Sequence, residues 1–225
     1  MEQTIKKDNP KHALPNYTVG EEIFNSVSHG VGAVLGVGAL VWLLMRTIPT
    51  GNPTRIVSAA VYGFSLVLLY TMSTLYHAIP GRAKPIMRKL DHCTIYVLIA
   101  GSYMPYLLLI VRGPLGIGLM AAIWSTAILG IVLNAINVDR FKVFSHFCYL
   151  VMGWAALVAI VPIWRGLPLA AMMLMIFGGL SYTGGMAFYA MKKYRYMHSI
   201  WHLFVMLGSL LHFFAAIFYI FLKGA

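Results

Sequence analysis

Two histidines one helical turn apart lie near the end of the sequence, in the stretch HSIWH, which runs from His198 to His202. Residues four apart on a helix project from one face, so two such imidazoles can bind one metal ion. Ser73 and His77, in the stretch STLYH, have the same spacing. A third histidine from another helix would complete three nitrogen ligands around Zn²⁺ and leave a fourth position for water. Asp91 can hold that water, and Ser73 can hydrogen-bond beside it.

Each of these residues also has an ordinary structural interpretation. Asp91 fits the N-cap of a helix, a position that aspartate fills well. His77, near a helix C-terminus, complements the helix dipole. His198 and His202 gain nothing as cations near a helix N-terminus, which favours neutral imidazoles that are able to bind a metal. The metal interpretation therefore depends on whether the fold brings the residues to one place.

The composition is that of an integral membrane protein. Hydrophobic residues make up 60% of the 225 residues and charged residues 10%, which leaves too little polar surface to cover a soluble globule. Seven continuous apolar stretches, each near the roughly 20 residues that cross a bilayer, predict an all-α bundle of seven transmembrane helices. They are expected at 22–46, 55–77, 91–111, 115–136, 143–163, 168–191 and 199–222.

Around these spans the sequence predicts one domain, residues 21–225, preceded by a short polar tail, residues 1–20. The tail has no apolar core followed by a cleavage site, so no removable signal peptide is expected. The two cysteines, Cys93 and Cys148, fit no usual zinc spacing, and both are expected to be reduced and structural.

The 17 lysines and arginines set the expected orientation. With seven spans, the side that holds the N-terminus carries twelve of them: Lys6, Lys7, Lys11, Arg82, Lys84, Arg88, Lys89, Arg140, Lys142, Lys192, Lys193 and Arg195. The other side carries five: Arg46, Arg55, Arg112, Arg165 and Lys223. The positive-inside rule then predicts a cytoplasmic N-terminus and an outer C-terminus. The net charge of +11 reflects this orientation and attraction to anionic headgroups, and it does not indicate nucleic-acid binding.

This topology brings the candidate ligands to one depth. His77 ends the second span, Asp91 begins the third, and His198 and His202 begin the seventh, all on the cytoplasmic side. More than 120 residues separate His77 from His202. The shared side and the repeated spacing of four favour a metal site over four unrelated residues.

Glu21, Asn25 and His29 recur every four residues along the first span, at the same cytoplasmic end. They are expected to line the wall of the site or to form a proton path. The alternative interpretation is a stripe of hydrogen bonds between helices.

Deeper in the membrane, His212 and Ser102 are expected to line an interior cavity. His212 is ten residues past His202, about 15 Å along a helix, and Ser102 is eleven residues past Asp91. Three other histidines lack paired spacing and are assigned no role: His12, His92 and His146.

The motifs EEIFNSVSHGVG, STLYHAIP, LDHCTIYVLIAGSYMP and HSIWHLFVMLGSLLH, in this order, resemble the haemolysin III family of bacterial membrane proteins, within the progestin and adiponectin receptor superfamily. The resemblance runs from about residue 20 to the C-terminus. It implies a zinc ion held by His77, His198 and His202 on the cytoplasmic side, with Asp91 and Ser73 near its bound water. It also implies a bacterial cytoplasmic-membrane location and extends to this chain the receptors' zinc-dependent hydrolysis of a ceramide-type amide.

Three functional hypotheses follow. The first is a zinc-dependent hydrolase of a lipid amide or ester, whose partners are membrane lipids and a lipid substrate. The second is a non-enzymatic sensor, transporter or regulator of membrane state in which zinc is structural or a ligand. The third is cytolysis by pore formation, for which the sequence offers no amphipathic or releasable segment. The short tail gives no reason to transfer ligand-triggered signalling, and no oligomeric state is predicted.

Overall fold

The first two helices begin at side-chain caps. In a computed structural model, which describes residues 14–191 and 193–222, the Thr18 hydroxyl accepts a hydrogen bond from the Glu21 amide (3.4 Å), and the Glu21 carboxylate accepts one from the Thr18 amide (2.8 Å). This reciprocal pair is a capping box, which satisfies N–H groups that a helix start leaves without partners. At the second helix the Asn52 side chain accepts from the amides of Thr54 and Arg55.

The helices are, in chain order, α1 (Val19–Thr47), α2 (Pro53–Ala78), α3 (Lys84–Pro105), α4 (Gly113–Gly153), α5 (Ile160–Gly166), α6 (Leu169–Ala190) and α7 (Met197–Ala216). Helices α3 and α7 continue into π-helical turns at Tyr106–Val111 and Ile217–Phe221. Short 3-10 turns lie at Ile48–Thr50, Gly81–Ala83 and Ala155–Ala159. No strand occurs within the described residues.

Among the described residues, six helical stretches are long and apolar enough to cross a membrane: Val19–Thr50, Pro53–Ala78, Gly81–Val111, Gly113–Gly166, Leu169–Ala190 and Met197–Phe221. The prediction of an all-helical, multi-pass membrane protein is therefore confirmed. The predicted count of seven spans differs from this count of six because residues 113–166 form one stretch of 54 residues. The number of crossings and the orientation stay predictions.

The fourth stretch reverses its direction within its length. Asn137 has an extended backbone (φ −158°, ψ 103°) between two helical segments. The Ser145 hydroxyl donates to Asn134 Oδ1 (2.8 Å), and Asn134 Nδ2 donates to the Tyr149 hydroxyl (3.3 Å). Residues eleven apart in a straight helix are about 16 Å apart along its axis. The chain therefore folds back on itself at Asn137.

Two basic side chains of helix α3 bind residues on either side of this reversal. The Arg88 guanidinium donates to both carboxylate oxygens of Asp139 (2.9 and 2.6 Å). Lys89 Nζ donates to the carbonyls of Ala135 and Ile136 (2.7 and 3.3 Å), where the first segment ends and its last carbonyls lack helical partners. Two adjacent basic residues of α3 thus fix the turn of α4.

Neighbouring helices approach closely where one of them has a glycine. A Cβ atom at Gly63 would lie 2.9 Å from the backbone of Leu40 on α1, and one at Gly185 would lie 2.7 Å from Phe204 Cβ on α7. Small residues permit such contacts between membrane helices, where packing replaces the hydrophobic effect. The α6–α7 contact bears on the site, because α7 carries two of the candidate ligands.

Candidate metal centre

Three histidines meet where α2 ends and α7 begins. His77 lies in the last turn of α2, and His198 and His202 lie in the first turns of α7. His198 Nε2 is 3.3 Å from His77 Nε2 and 3.1 Å from His202 Nε2. Among the histidine, cysteine, aspartate and glutamate side chains of the described residues, this trio has ligand atoms close enough to hold one ion. All three atoms lie within 4.8 Å of one another. The structure thus brings together the three histidines that the sequence analysis selected, and they could hold a metal ion.

The first turn of α1 fixes the start of α7. Tyr196, just before α7, has a left-handed backbone (φ 61°), and its amide donates to Glu21 Oε1 (2.7 Å). One turn further, the buried Ser199 hydroxyl donates to Asn25 Oδ1 (2.6 Å). Glu21 and Asn25 therefore hydrogen-bond to the start of α7, as the alternative interpretation of their stripe predicted. Through these bonds they orient the helix that carries His198.

His29 continues this stripe to the candidate metal ligands. Its ring stacks on that of His202, with centroids 3.6 Å apart and planes at 13°, and the Tyr70 ring meets it edge-on at 5.0 Å. His29 is buried, lines the interior cavity, and within the described residues neither of its ring nitrogens has a hydrogen-bond partner. His29 thus supports the ring of one ligand and presents polar atoms near the site.

Glu22 contacts the third histidine, and the sequence analysis did not select it. Glu22 Oε2 accepts a hydrogen bond from His77 Nδ1 (2.6 Å), and Glu22 Oε1 pairs with Lys84 Nζ (2.7 Å). The only signal in the sequence is a second acidic residue beside Glu21 at the border of an apolar span, a costly place for a charge without a partner. Its partners come from two other helices, so no local spacing predicts them.

Tyr17 covers the trio from the segment that precedes α1. Its ring stacks on His198 (centroids 4.9 Å apart, planes at 26°) and lies 5.6 Å from His77. Burial raises the pKa of the Tyr17 hydroxyl above its usual value, so the residue is a neutral phenol at physiological pH. An aromatic side chain thus shields one side of the histidines.

An interior cavity adjoins the trio. Its walls are mainly apolar and include side chains such as Ile163, Met172 and Met175. Its polar lining contains seven residues from the sequence analysis: His29, Ser73, Asp91, Ser102, His198, His202 and His212. These residues therefore line one cavity, which extends from beside the histidine trio into the apolar interior.

Asp91 is not an N-cap, contrary to one interpretation of the sequence. Helix α3 begins at Lys84, so Asp91 is its eighth residue and is buried. Its carboxylate lies 3.4 Å from His92 Nδ1. His92, to which the sequence analysis assigned no role, therefore contacts a candidate site residue.

Of the three histidines that were assigned no role, two line the cavity and one lies outside the described residues. His92 and His146 both line the cavity, and His146 Nδ1 also bonds to the Lys142 carbonyl. His12, most of the predicted tail, Lys192 and Lys223 lie outside the described residues. Cys93 and Cys148 are buried free thiols, as expected.

Comparison with known proteins gives consistent matches. The family profile described as Haemolysin-III related matches residues 17–213. The chain is 43% identical over 203 residues to Hemolysin-3 of Bacillus cereus, covering 90% of this chain and 93% of that protein. It is 43% identical over 204 residues to the Hemolysin-3 homolog of Bacillus subtilis (strain 168), covering 90% and 96%. It is 31% identical over 169 residues to the human Monocyte to macrophage differentiation factor, covering 71% and 68%. The residues that the family profile matches include the histidine trio and the residues that line the cavity.

Proposed function

The chain belongs to the haemolysin III family, within the progestin and adiponectin receptor superfamily, and from that premise we propose that it is a zinc-binding membrane hydrolase of a lipid amide or ester. The observation that carries the proposal is three imidazoles that converge beside a mainly apolar cavity, which His198 and His202 line. Its location would be the bacterial cytoplasmic membrane, with lipids as both surroundings and substrate.

The spacing of the ring nitrogens supports zinc as the metal. A tetrahedral zinc ion with bonds of about 2.0–2.1 Å has ligand nitrogens about 3.3–3.4 Å apart. Two Nε2 separations, 3.3 and 3.1 Å, are close to that edge length, and all three ligand atoms lie within 4.8 Å of one another. Three histidine ligands leave a fourth position, which is the arrangement of catalytic zinc sites more than of closed structural ones. His77, His198 and His202 are therefore the proposed ligands.

The neighbouring side chains supply the rest of a hydrolytic site. Zinc in such a site acts as a Lewis acid that activates water and polarises a carbonyl. Asp91, buried in the wall of the same cavity, would accept and hold the proton that the water loses. Ser73, also buried there, would hydrogen-bond the substrate carbonyl or amide. His212 and Ser102 would line the deeper part, where the apolar walls accept an acyl chain.

We propose seven crossings rather than six, with the N-terminus cytoplasmic and the C-terminus outside. A continuous helix over the 54 residues of Gly113–Gly166 would be about 80 Å long, against a hydrocarbon core of about 30 Å. The reversal at Asn137 divides this stretch into two spans. The excess of lysine and arginine on one side supports the orientation.

Labelling of introduced cysteines with a membrane-impermeant maleimide tests this topology. Lys142→Cys follows the reversal and Thr50→Cys follows α1, both at exposed positions, and the native cysteines are buried. Reagent added outside intact spheroplasts is expected to label Thr50→Cys and to leave Lys142→Cys unlabelled until the membrane is opened. Labelling of both in intact spheroplasts would refute the assignment.

Two successive measurements, of metal content and then of turnover, test the proposed chemistry. Elemental analysis of detergent-purified wild type is expected to give about one zinc per chain. The double histidine variant, His198→Ala with His202→Ala, is expected to give none, and His146→Ala, which alters a histidine outside the trio, is the matched control. Wild type without stoichiometric metal would refute the zinc site. The second measurement is release of fatty acid from a panel of ceramides, simple amides and esters.

Two other functions are outcomes of the same experiments. Wild type that binds zinc but releases no fatty acid from any substrate would favour a sensor or regulator of membrane state. The name of the Bacillus cereus relative, Hemolysin-3, makes cytolysis the third candidate. It predicts dye leakage from liposomes when purified protein is added from outside, and intact liposomes at high protein-to-lipid ratio would count against it.

A further inference from the structure

We propose that Glu22 is the positioning residue of the metal centre and sets which ring nitrogen His77 offers to the metal. The inference rests on the proposed metal site. Glu22 Oε2 lies 2.6 Å from His77 Nδ1, and the side chain of His77 is fully buried. Because the imidazole is buried and its Nδ1 faces the carboxylate, Glu22 is placed to set its orientation and the position of its proton.

The two nitrogens of imidazole have complementary roles. A neutral ring carries one N–H and one lone pair, and the hydrogen bond made by one nitrogen decides the role of the other. His77 Nδ1 faces the Glu22 carboxylate, which only accepts, and Nε2 faces His198 Nε2 at 3.3 Å. The proton is therefore held on Nδ1, and the lone pair of Nε2 points into the trio. Carboxylate partners of this kind orient metal-binding histidines and raise their basicity.

The carboxylate is itself held in place by a partner on its other oxygen. Lys84 Nζ pairs with Glu22 Oε1 (2.7 Å) and also donates to the Tyr76 carbonyl (3.1 Å). Glu22 thus joins three helices: its own α1, the end of α2 through His77, and the start of α3 through Lys84. Each oxygen has a partner, so the side chain has little freedom to rotate away from the imidazole.

The adjacent carboxylate shows that this role depends on position. Glu21 uses one oxygen for Thr18 and the other for the Tyr196 amide, and both of these contacts are to the backbone or to the cap of α1. Glu21 therefore binds the start of α1 and the residue before α7, whereas Glu22, the next residue, contacts a proposed metal ligand.

The test is zinc affinity, measured by competition with a chromophoric chelator on detergent-purified full-length protein. Glu22→Ala is expected to bind zinc 10- to 100-fold more weakly than wild type. Glu22→Gln, whose amide oxygen still accepts a hydrogen bond, is expected to recover part of that loss. Lys84→Met keeps the bond to His77 but frees the other carboxylate oxygen, so its loss of zinc affinity is expected to be clearly smaller than that of Glu22→Ala. Asp139→Asn, which breaks a distant ion pair, is the control and is expected to leave affinity unchanged.

Nitrogen-15 NMR of protein with labelled histidine gives a readout that does not need bound metal. Metal-free wild type is expected to show His77 with its proton on Nδ1, and Glu22→Ala is expected to show a mixture of tautomers. Wild-type affinity in Glu22→Ala, or an unchanged His77 tautomer in that variant, would overturn the inference. Equal losses in Lys84→Met and Glu22→Ala would also overturn it, because they indicate a general scaffold. Wild type without zinc would refute the proposed function instead, and the tautomer would still decide the role of Glu22.

Discussion

A single methyl group at position 185 tests whether the packing of α6 on α7 holds the metal ligands in register. In Gly185→Ala the new Cβ would lie 2.7 Å from Phe204 Cβ and 2.8 Å from Trp201 Cε3. Phe204 Cβ is bonded to the backbone, so a change of side-chain rotamer cannot relieve the contact. Moving from 2.7 Å to the 3.4 Å of an ordinary contact requires α7 to shift by about 0.7 Å.

This shift has two expected consequences. Overpacking of this kind costs about 1–3 kcal/mol, offset in part by about 1 kcal/mol from the higher helix propensity of alanine. The net destabilisation is about 0–2 kcal/mol, so at about 2–4 °C per kcal/mol the melting temperature should fall by up to about 8 °C. Binding sites also need their groups held within about 0.5 Å. Since Trp201 lies between His198 and His202 on α7, the shift should weaken zinc binding as well.

The neighbouring glycine provides the matched control. A Cβ at Gly184 would be 3.6 Å from the nearest atom, Phe204 Cε1, which is an ordinary contact. Gly184→Ala therefore carries the same change in helix propensity without the overlap, and it should match wild type or exceed its stability. The assay is thermal unfolding followed by tryptophan fluorescence in detergent, with zinc affinity measured in parallel. Equal melting temperatures and affinities for the two variants would refute the reasoning.

Three further predictions concern contacts around the site. Asp139→Asn breaks the bidentate ion pair with Arg88 and should lower the free energy of unfolding by about 1 kcal/mol. A loss of zinc as well would show that the ion pair supports the site. Ser199→Ala leaves the buried Asn25 Oδ1 without its 2.6 Å bond and should cost about 1–3 kcal/mol, and an unchanged melting temperature would contradict this value. A strong chelator should lower the melting temperature of zinc-loaded wild type, because metal at 1,000 times its Kd contributes about 4 kcal/mol. The double histidine variant should not respond, and a response would show that the metal binds elsewhere.

The candidate ligands could be predicted because their positions follow from local rules. His198 and His202 have helical spacing, and hydropathy alone places His77 at the same border of the apolar spans. The start of α3 could not be predicted in this way, since hydropathy marks where an apolar run begins, whereas the helix starts at Lys84 with a proline in its first turn. Asp91 consequently lies within the helix rather than at its cap.

Other features depend on tertiary contacts that no local pattern encodes. Glu22 acquires its role because the end of α2 and the start of α3 approach it, whereas the spacing of four favoured its neighbour Glu21. The reversal at Asn137 has no proline or glycine at the break and is held by bonds from α3. The three candidate ligands could therefore be predicted from the sequence, whereas the contact between Glu22 and His77 could not.

The position of α7 in the chain also sets the order in which the centre can assemble during synthesis. His77 and His202 are 125 residues apart, which corresponds to about 6–25 s of translation at typical rates. Glu22, His77 and Lys84 all belong to the first three helices, so the carboxylate can bind its imidazole before the remaining ligands leave the ribosome. Metal capture then waits for the last helix. We therefore expect zinc to bind only after the whole bundle has been inserted. A nascent chain arrested before α7 would contain Glu22 and His77 but neither His198 nor His202.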